Sequence, residues 1–258
     1  MKTVSLNQAL AVAVKAARAA GKVMHANWLK PKCVKLNDAH DIKLELDVRC
    51  QKLIEKILRA AFPEIPLLGE EGDSGDVTAE YRWVVDPIDG TVNYFYGMPH
   101  AAVSVALQHH GKSVVGVIYG PFTNELWTTV RGEPTRLNGK IVRVSKRSRL
   151  EDAVIAMGFS KNRENMEKSL PHLNRLARRV KKIRVMGSAA LELAYVASGR
   201  LDAYIERTIN LWDVAAGSLL VENAGGEFYT LPAPGGKMRM CASNGRLRQK
   251  LQIGSLLT

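Results

Sequence analysis

The sequence predicts an α/β fold in which layers of helices alternate with mixed β-sheets, built as one domain over residues 1–258. Segments with helical spacing of apolar residues recur among short segments rich in β-branched residues. The chain has 258 residues, 46% of them hydrophobic and 24% charged, so it can bury a large core. No spacer rich in Pro, Ser or Gly divides it, which favours a single unit.

Two helices are predicted in the first part of the chain. Apolar residues recur at helical spacing over about 5–28, and Ser5 is suited to cap this helix. A turn-rich loop at 37–41 follows. Asp47 is then placed to cap a second helix, which ends at Phe62 and the proline after it.

A series of strands is predicted in the middle of the chain. The segments with β-branched or alternating apolar residues are 65–68, 81–85, 101–108, 113–119 and 125–130. Glycine-containing turns between the last three predict a meander, and the dipeptide Asn138-Gly139 indicates a hairpin. The first two strands each run directly into a group of acidic residues.

The remaining chain alternates strands with helices. Short strands are predicted at 153–157, 183–185 and 203–206, and helices at about 165–180, 188–198 and 213–224. Glycines follow the last two helices, as expected at helix ends. This alternation completes the layered α/β pattern.

Charge and composition restrict the classes of partner. The net charge of +12 favours anions such as phosphorylated metabolites, nucleic acid or acidic proteins. The acidic residues, by contrast, are concentrated between positions 64 and 89, which suits a cation site in a basic protein. No secretory leader or membrane span is recognisable, so we expect a cytoplasmic protein that does not associate with membranes.

Cysteine and histidine do not suggest a metal or disulfide framework in the sequence. The chain has three cysteines, widely spaced and without a CxxC pair, which argues against both disulfides and a thiolate metal site. The adjacent His109 and His110 would point to opposite faces of a strand, and no chemistry is assigned to them.

The segment Asp86-Pro87-Ile88-Asp89-Gly90-Thr91 predicts a cup of hard oxygen ligands. Pro87 fixes one backbone dihedral and Gly90 permits a tight bend, so both carboxylates and the Ile88 carbonyl can face one point. Such oxygens suit Mg²⁺. A DxxD pattern in isolation would instead be interpreted as an ordinary turn.

Two further acidic segments become candidate metal ligands when they are considered together with that cup. Glu70 and Glu71 end another strand, where in isolation they would be interpreted as a solvated turn. Asp213 stands at a helix start, where an isolated aspartate is usually a cap; here it can fill both roles. The small residues after it, in the segment LWDVAAG, allow close helix packing.

Together these motifs resemble the inositol monophosphatase family. The motifs are GEEG at 69–72, WVVDPIDGTVNY at 83–94 and LWDVAAG at 211–217, in the family's order. Segments 98–107 and 184–204 also fit, so the resemblance covers essentially the whole chain. It implies an inositol-monophosphatase/fructose-bisphosphatase-like fold, small polyol phosphates as the substrate class with myo-inositol monophosphate first, and a homodimer.

The resemblance also implies roles for individual residues. Glu70, Asp86 and the Ile88 carbonyl would hold one Mg²⁺, and Asp86, Asp89 and Asp213 a second. Thr91 and Glu70 would lie near the attacking water, with Asp47 supporting Thr91. The substrate would contact Asp89, Gly90, Thr91, Arg184, Gly187, Ser188, Ala189, Glu206 and Asp213. Two metals bridged by one carboxylate fit the physics of phosphoryl transfer, which needs no nucleophilic side chain.

Departures from the family pattern leave alternatives open. Leu44 replaces a threonine in the D-x-V-T-x-x-D stretch at 41–47, which bears on a third, loosely bound Mg²⁺, and Asn210 replaces a histidine of animal members. A related phosphatase for histidinol phosphate, fructose bisphosphate or a 3'-phosphoadenosine nucleotide would use the same cup. Binding of RNA or a transcription complex through basic residues at 175–184 is the disfavoured alternative, because no aromatics are interleaved for stacking.

Overall fold

Two large sheets and the helices packed on them make up the fold of the computed structural model, which describes residues 4–37, 42–159 and 163–251. The helices are α1 (Leu6–Ala26), α2 (Glu45–Ala61), α3 (Thr91–Phe95), α4 (Arg163–Ala177), α5 (Ala189–Ala197), α6 (Leu211–Asn223) and α7 (Arg248–Leu251). The first strands are β1 (Val34–Asn37), β2 (Ile42–Leu44), β3 (Leu67–Gly69), β4 (Tyr81–Asp89), β5 (Ala102–His109), β6 (Lys112–Gly120) and β7 (Glu125–Val130). The later strands are β8 (Arg136–Leu137), β9 (Lys140–Ile141), β10 (Val154–Met157), β11 (Lys182–Arg184), β12 (Ala203–Ile209), β13 (Glu227–Pro232) and β14 (Met238–Ser243).

The larger sheet has seven strands in the order β3-β4-β5-β6-β7-β8-β9. Only the β3–β4 pair is parallel among the pairs of this sheet; the others are antiparallel. Successive residues of β4 face opposite sides, as a pleated strand requires. Val85 packs with α1 and α2, whereas Val84 packs with α5 and α6. Both faces of the sheet are therefore covered by helices.

The smaller sheet has five strands in the order β11-β10-β12-β14-β13. Strand β10 is parallel to both neighbours, and the β12–β14 and β13–β14 pairs are antiparallel. Ala156 and Tyr204 on one face join the core formed with α5 and α6, while Ile155 on the other face packs with Leu176 of α4. Helices α5 and α6 thus lie between the two sheets. This is the layered α/β architecture that the sequence predicts.

Small residues allow α6 to approach its neighbours closely. A Cβ at Gly116 of β6 would lie 2.8 Å from the Ala216 carbonyl oxygen, and one at Gly217 would lie 2.5 Å from a Leu193 side-chain carbon. Both distances are shorter than real contacts allow, so each position requires glycine. The close packing fixes the start of α6, where Asp213 stands.

Most predicted elements are present, with shifts at their ends and several omissions. Helix α2 begins at Glu45, and Asp47 caps it from within the first turn by accepting a hydrogen bond from the Leu44 N–H at 2.7 Å. Sequence reasoning missed β1, β2, α3, β13, β14 and α7. Of the predicted loop at 37–41, residues 38–41 lie outside the described part of the chain.

The expectation that His109 and His110 point to opposite faces is wrong. His110 lies beyond the end of β5 and has a positive φ of 49°, so the two residues are not successive positions of one strand. Their ring centroids are 4.3 Å apart. Within the described ranges, no helix combines the length and apolar character needed to cross a bilayer.

Candidate active site

The site begins at the carboxyl end of β4, where the strand is irregular. The pairing of β4 with β5 shifts by one residue at this point. Asp86 pairs with Ser104 and Asp89 pairs with Ala102, so three steps along β4 match two along β5. The Ile88 N–H donates to Asp86 Oδ1 at 3.0 Å, which closes a tight turn. A bulge of this kind re-aims side chains at the end of a strand.

Gly90 completes this turn in the left-handed region, with φ of 88°. A Cβ at this position would lie 2.9 Å from the His100 carbonyl oxygen and 3.1 Å from that of Gly187. Both the backbone conformation and the close approach therefore require glycine. The chain then enters α3 directly at Thr91.

Three carboxylates from distant parts of the chain converge here. Ligand oxygens of Asp86, Asp89 and Asp213 all lie within 4.8 Å of one another. Asp213 also accepts a hydrogen bond from the Asn210 N–H at 2.8 Å, so it caps α6 and faces the cluster at once. Glu70 follows β3, which pairs with β4 so that Gly69 lies opposite Val85, and its charge acts on Asp86 and Asp213.

Burial and mutual repulsion make these carboxylates unusually basic. Burial, followed by the charges of Glu70, Asp89 and Asp213, raises the pKa of Asp86 well above its usual range. Burial likewise raises the pKa of Asp89 to about 6, although four hydrogen-bond donors act in the opposite direction. Burial and the charge of Asp89 raise the pKa of Asp213. A group of oxygen-only ligands with this excess of negative charge fits a hard divalent cation such as Mg²⁺.

The pKa shifts predict how stability depends on pH and Mg²⁺. A carboxyl whose pKa is raised on folding binds its proton more tightly in the folded chain, so the metal-free protein loses stability as pH rises from the ordinary aspartate value toward about 6 for Asp89. We expect Mg²⁺ to raise the melting temperature more at about pH 7.5 than at about pH 5, since cation and protons compete for these oxygens.

Calorimetry with and without Mg²⁺ at both pH values measures this effect. Taking the difference at each pH cancels contributions from titrating groups elsewhere. An Asp213→Asn variant is the control, and its Mg²⁺-dependent shift should be reduced. Equal stabilisation at the two pH values, or more at the lower one, would contradict the placement of a cation among these carboxylates.

Thr91 connects this cluster to the start of α2. Its hydroxyl donates to the Ile88 carbonyl oxygen at 2.8 Å and lies 3.4 Å from Asp47 Oδ1. Burial, with smaller effects of the charges of Glu70 and Glu71, raises the pKa of Asp47 to about 7. The structure thus brings together Asp47, Thr91 and Glu70, which the sequence predicts as catalytic.

Asp89 also joins the start of α5 to the cluster. Its carboxylate accepts hydrogen bonds from the Ala189 N–H at 3.1 Å, the Ala190 N–H at 2.9 Å and the Ser188 hydroxyl. These donors fix the direction of the carboxylate. They also place the segment 187–189 beside the turn at Gly90.

The carboxylates lie in a cavity of about 860 Å³. Its lining includes these predicted site residues: Glu70, Asp86, Ile88, Asp89, Gly90, Thr91, Gly187, Ser188, Ala189, Glu206 and Asp213. Three cationic side chains, Lys168, Lys237 and Arg239, also line it. Arg184 is exposed and is not among the lining residues, and its guanidinium lies 3.2 Å from the Ile183 carbonyl oxygen. Its contact with substrate stays a prediction.

Two residues that shape the cavity were missed in the sequence. The Asn93 amide donates to the carbonyl oxygens of His100 at 2.9 Å and Met186 at 2.8 Å, so it fastens α3 to the segment before α5. Glu192 accepts from the Met186 N–H at 3.0 Å, and burial followed by the charge of Glu206 raises its pKa well above normal. The only signal for Glu192 in the sequence is one acid in an otherwise mostly apolar helix.

Comparisons with known proteins agree with this geometry. The model of the inositol monophosphatase family matches residues 5–251. A Xylella fastidiosa protein named Nus factor SuhB is 43% identical over 223 residues, covering 84% of this chain and 80% of that protein. The inositol-1-monophosphatase of Rhizobium meliloti is 43% identical over 205 residues, covering 79% of this chain and 76% of the relative.

Solved structures of this family also resemble the chain. The extragenic suppressor protein suhB from Bartonella henselae superposes with a TM-score of 0.90 at 36% identity, covering 96% of this chain and 98% of the other. The inositol monophosphatase from Anabaena gives a TM-score of 0.84 at 34% identity, covering 97% and 96%. The chain belongs to the inositol monophosphatase family of metal-dependent phosphatases, which hydrolyse phosphate monoesters.

Proposed function

We propose that this protein is a Mg²⁺-dependent phosphatase of small polyol phosphates, with myo-inositol monophosphate as the first candidate. The observation that carries the proposal is the convergence of Asp86, Asp89 and Asp213 within 4.8 Å. Thr91 and Glu70 line the same cavity. The arrangement supplies cation ligands and a water-binding position side by side.

The proposed ligand sets are those that the family resemblance implies, and the convergence of Asp86, Asp89 and Asp213 supports the second of them. Glu70, Asp86 and the Ile88 carbonyl would hold one Mg²⁺, and Asp86, Asp89 and Asp213 would hold another. When bound, such ions lower the pKa of a coordinated water and stabilise charge on the phosphate and the leaving oxygen. A third ion remains open, because Asp41 lies outside the described residues.

The surrounding residues would orient water and phosphate. The Thr91 hydroxyl, held between Asp47 and the Ile88 carbonyl, faces the cavity and can accept a hydrogen bond from the attacking water. The carboxylate of Glu70 is the second acceptor for that water. The backbone N–H groups at Gly90 and Thr91 would donate to phosphate oxygens, because both residues line the cavity at the start of α3. Protonation of the leaving alkoxide by water completes the reaction.

Recognition of the polyol is proposed for Glu206 and the segment at 187–189, which line the same cavity. Glu206 accepts a hydrogen bond from the Tyr204 hydroxyl, and burial raises its pKa to about 7. Its carboxylate would accept hydrogen bonds from substrate hydroxyls, and the segment Gly187-Ser188-Ala189, which also lines the cavity, would contact the polyol. These contacts favour a compact polyol as the leaving group.

One observation favours a second candidate substrate. Lys168, Lys237 and Arg239 line the cavity together with the carboxylates, so positive charge lies within reach of a second anionic group on a substrate. A second phosphate on the substrate would use them. Fructose bisphosphate and 3'-phosphoadenosine nucleotides therefore remain candidates on this ground.

Phosphate release with Mg²⁺ across a substrate panel tests the proposal. The panel holds inositol monophosphates, histidinol phosphate, fructose bisphosphate, sugar phosphates and adenosine bisphosphate. We expect the highest kcat/KM for an inositol monophosphate and no turnover when Mg²⁺ is chelated. A higher kcat/KM for a bisphosphate, reduced by Lys237→Met, would select the second candidate. Turnover that survives chelation would contradict both.

Binding to nucleic acid or to a transcription complex is a separate alternative, consistent with relatives named Nus factor SuhB. Five basic residues near the end of α4 and in β11 are exposed: Arg178, Arg179, Lys181, Lys182 and Arg184. A face of this kind binds phosphates with a steep dependence on salt. RNA retention that falls sharply with salt, and persists in Asp89→Asn, would support this role.

We also propose a homodimer, to be tested by light scattering.

A further inference from the structure

A second group of metal-ligand side chains lies at the other end of the β4–β5 pair. Glu80 immediately precedes β4, His109 ends β5, and His110 lies in the turn to β6. Each offers one ligand atom, and these three atoms lie within 4.8 Å of one another. Glu80 Oε1 is 2.7 Å from His109 Nε2 and 3.6 Å from His110 Nε2.

The backbone holds this group in place. His110 and Gly111 have φ values of 49° and 74°, the pattern of a two-residue hairpin turn of type I′. The His110 N–H donates to the Glu80 carbonyl oxygen at 2.8 Å, so the turn is fastened to the residue that carries the carboxylate. The Tyr81 ring stacks on His109 with centroids 4.3 Å apart. The His109 ring and the backbone of His110 are therefore positioned before any ion binds.

The ligand types differ from those of the acidic cluster. Two imidazoles and one carboxylate form a borderline set that binds Zn²⁺, Ni²⁺ and Cu²⁺ well and Mg²⁺ poorly. The side chains are also accessible, since His110 is 70% exposed and His109 35% exposed. An ion could enter from solvent and retain water at its remaining positions.

The group is separate from the candidate active site. Tyr81 pairs with His109 at one end of the strand pair, and Asp89 pairs with Ala102 at the other. At about 3.3 Å per residue, these ends lie roughly 25 Å apart along β4. An ion at one end therefore contacts no ligand of the other.

We propose that Glu80, His109 and His110 form a second metal site, specific for a borderline transition cation such as Zn²⁺ or Cu²⁺. An ion bound there joins the start of β4 to the β5–β6 turn. Since binding to the folded chain alone stabilises it, occupancy raises the melting temperature. The contact between Glu80 Oε1 and His109 Nε2 is the arrangement that the cation replaces.

Cu²⁺ titration in excess Mg²⁺, followed by electron paramagnetic resonance and calorimetry, tests the proposal. We expect one Cu²⁺ with nitrogen couplings from two imidazoles. His110→Asn keeps a residue that accepts the left-handed turn but removes a ligand, so it should weaken binding about tenfold or more. Glu80→Gln should weaken it in the same direction. His25→Asn, at an exposed histidine elsewhere, is the matched control and should leave affinity unchanged.

Phosphate release with Mg²⁺ provides the second readout. It should be the same in the wild type and His110→Asn, because the turn lies far from the acidic cluster. Cu²⁺ affinity that is equal in the wild type and His110→Asn, or lost in His25→Asn, would overturn the proposal. Absence of any Cu²⁺ site with two nitrogen ligands would do so as well, and would leave only side-chain contacts at Glu80.

Discussion

Asparagine in place of Asp89 is expected to lower kcat/KM by about 1,000-fold or more, because it removes a charge from the cation ligands. The Asp89 carboxylate is also the acceptor for the Ala189 and Ala190 N–H groups and the Ser188 hydroxyl. An amide NH₂ cannot accept from these donors. Leaving a buried donor unpaired costs about 1–3 kcal/mol, so the variant should also melt at a lower temperature.

A matched control separates loss of catalysis from loss of stability. Asp202 is fully buried and accepts hydrogen bonds from Arg147 Nε and the Val154 N–H, both at 2.7 Å. It is not among the residues that line the cavity. Asp202→Asn should therefore lower the melting temperature while keeping kcat near that of the wild type, measured where both variants are folded. Near-normal turnover by Asp89→Asn, or an equal loss in Asp202→Asn, would contradict the proposed mechanism.

The approach of Asp86 and Asp89 to one point was predictable because their sequence signal is local, whereas that of Asp213 was not. Asp86 and Asp89 share one turn, and Glu70 follows the strand that pairs beside β4. Asp213 is 124 positions after Asp89, and only the family resemblance placed it with them before the structure did. Its position depends on α6 packing closely against β6 at Gly116, a contact that no single motif encodes.

The missed strands and helix lack the patterns on which prediction relies. Strand β13 ends in Pro232 and is partly exposed along its length, so it shows no clear alternation of apolar residues. Strands β1 and β2 have four and three residues, and α3 has five. Elements this short are stabilised by tertiary contacts more than by their own sequence.

Long-range side-chain contacts could not be predicted from the sequence either. Asn93 bonds to Met186, 93 positions away, although nothing near Asn93 indicates that partner. The turn after β5 was predicted, but the relative orientation of His109 and His110 was not, because His110 takes a left-handed φ that the dipeptide His-Gly signals less strongly than Asn-Gly or Asp-Gly. Histidine tolerates the left-handed region less commonly than glycine but is enriched there among other residues. The cluster with Glu80 depends on that one backbone angle.

Valine in place of Thr91 is expected to lower kcat by about 100-fold or more, because it removes the hydroxyl that would orient the attacking water. Valine keeps the shape and the branching at Cβ, so α3 should still begin at this position. The substitution removes the interactions of the hydroxyl with the Ile88 carbonyl oxygen at 2.8 Å and with Asp47 Oδ1 at 3.4 Å. The KM should change little by comparison.

Thr91→Ser is the matched control, since it restores the hydroxyl without the methyl group. Serine should recover most of the lost kcat, and the melting temperatures of both variants should stay near that of the wild type. Asp47→Asn should fall between them, because it retains the hydroxyl but weakens its orientation. If Thr91→Val kept the wild-type kcat, the water would have to be held by Glu70 alone, and the role assigned to the contact between Thr91 and Asp47 would be wrong.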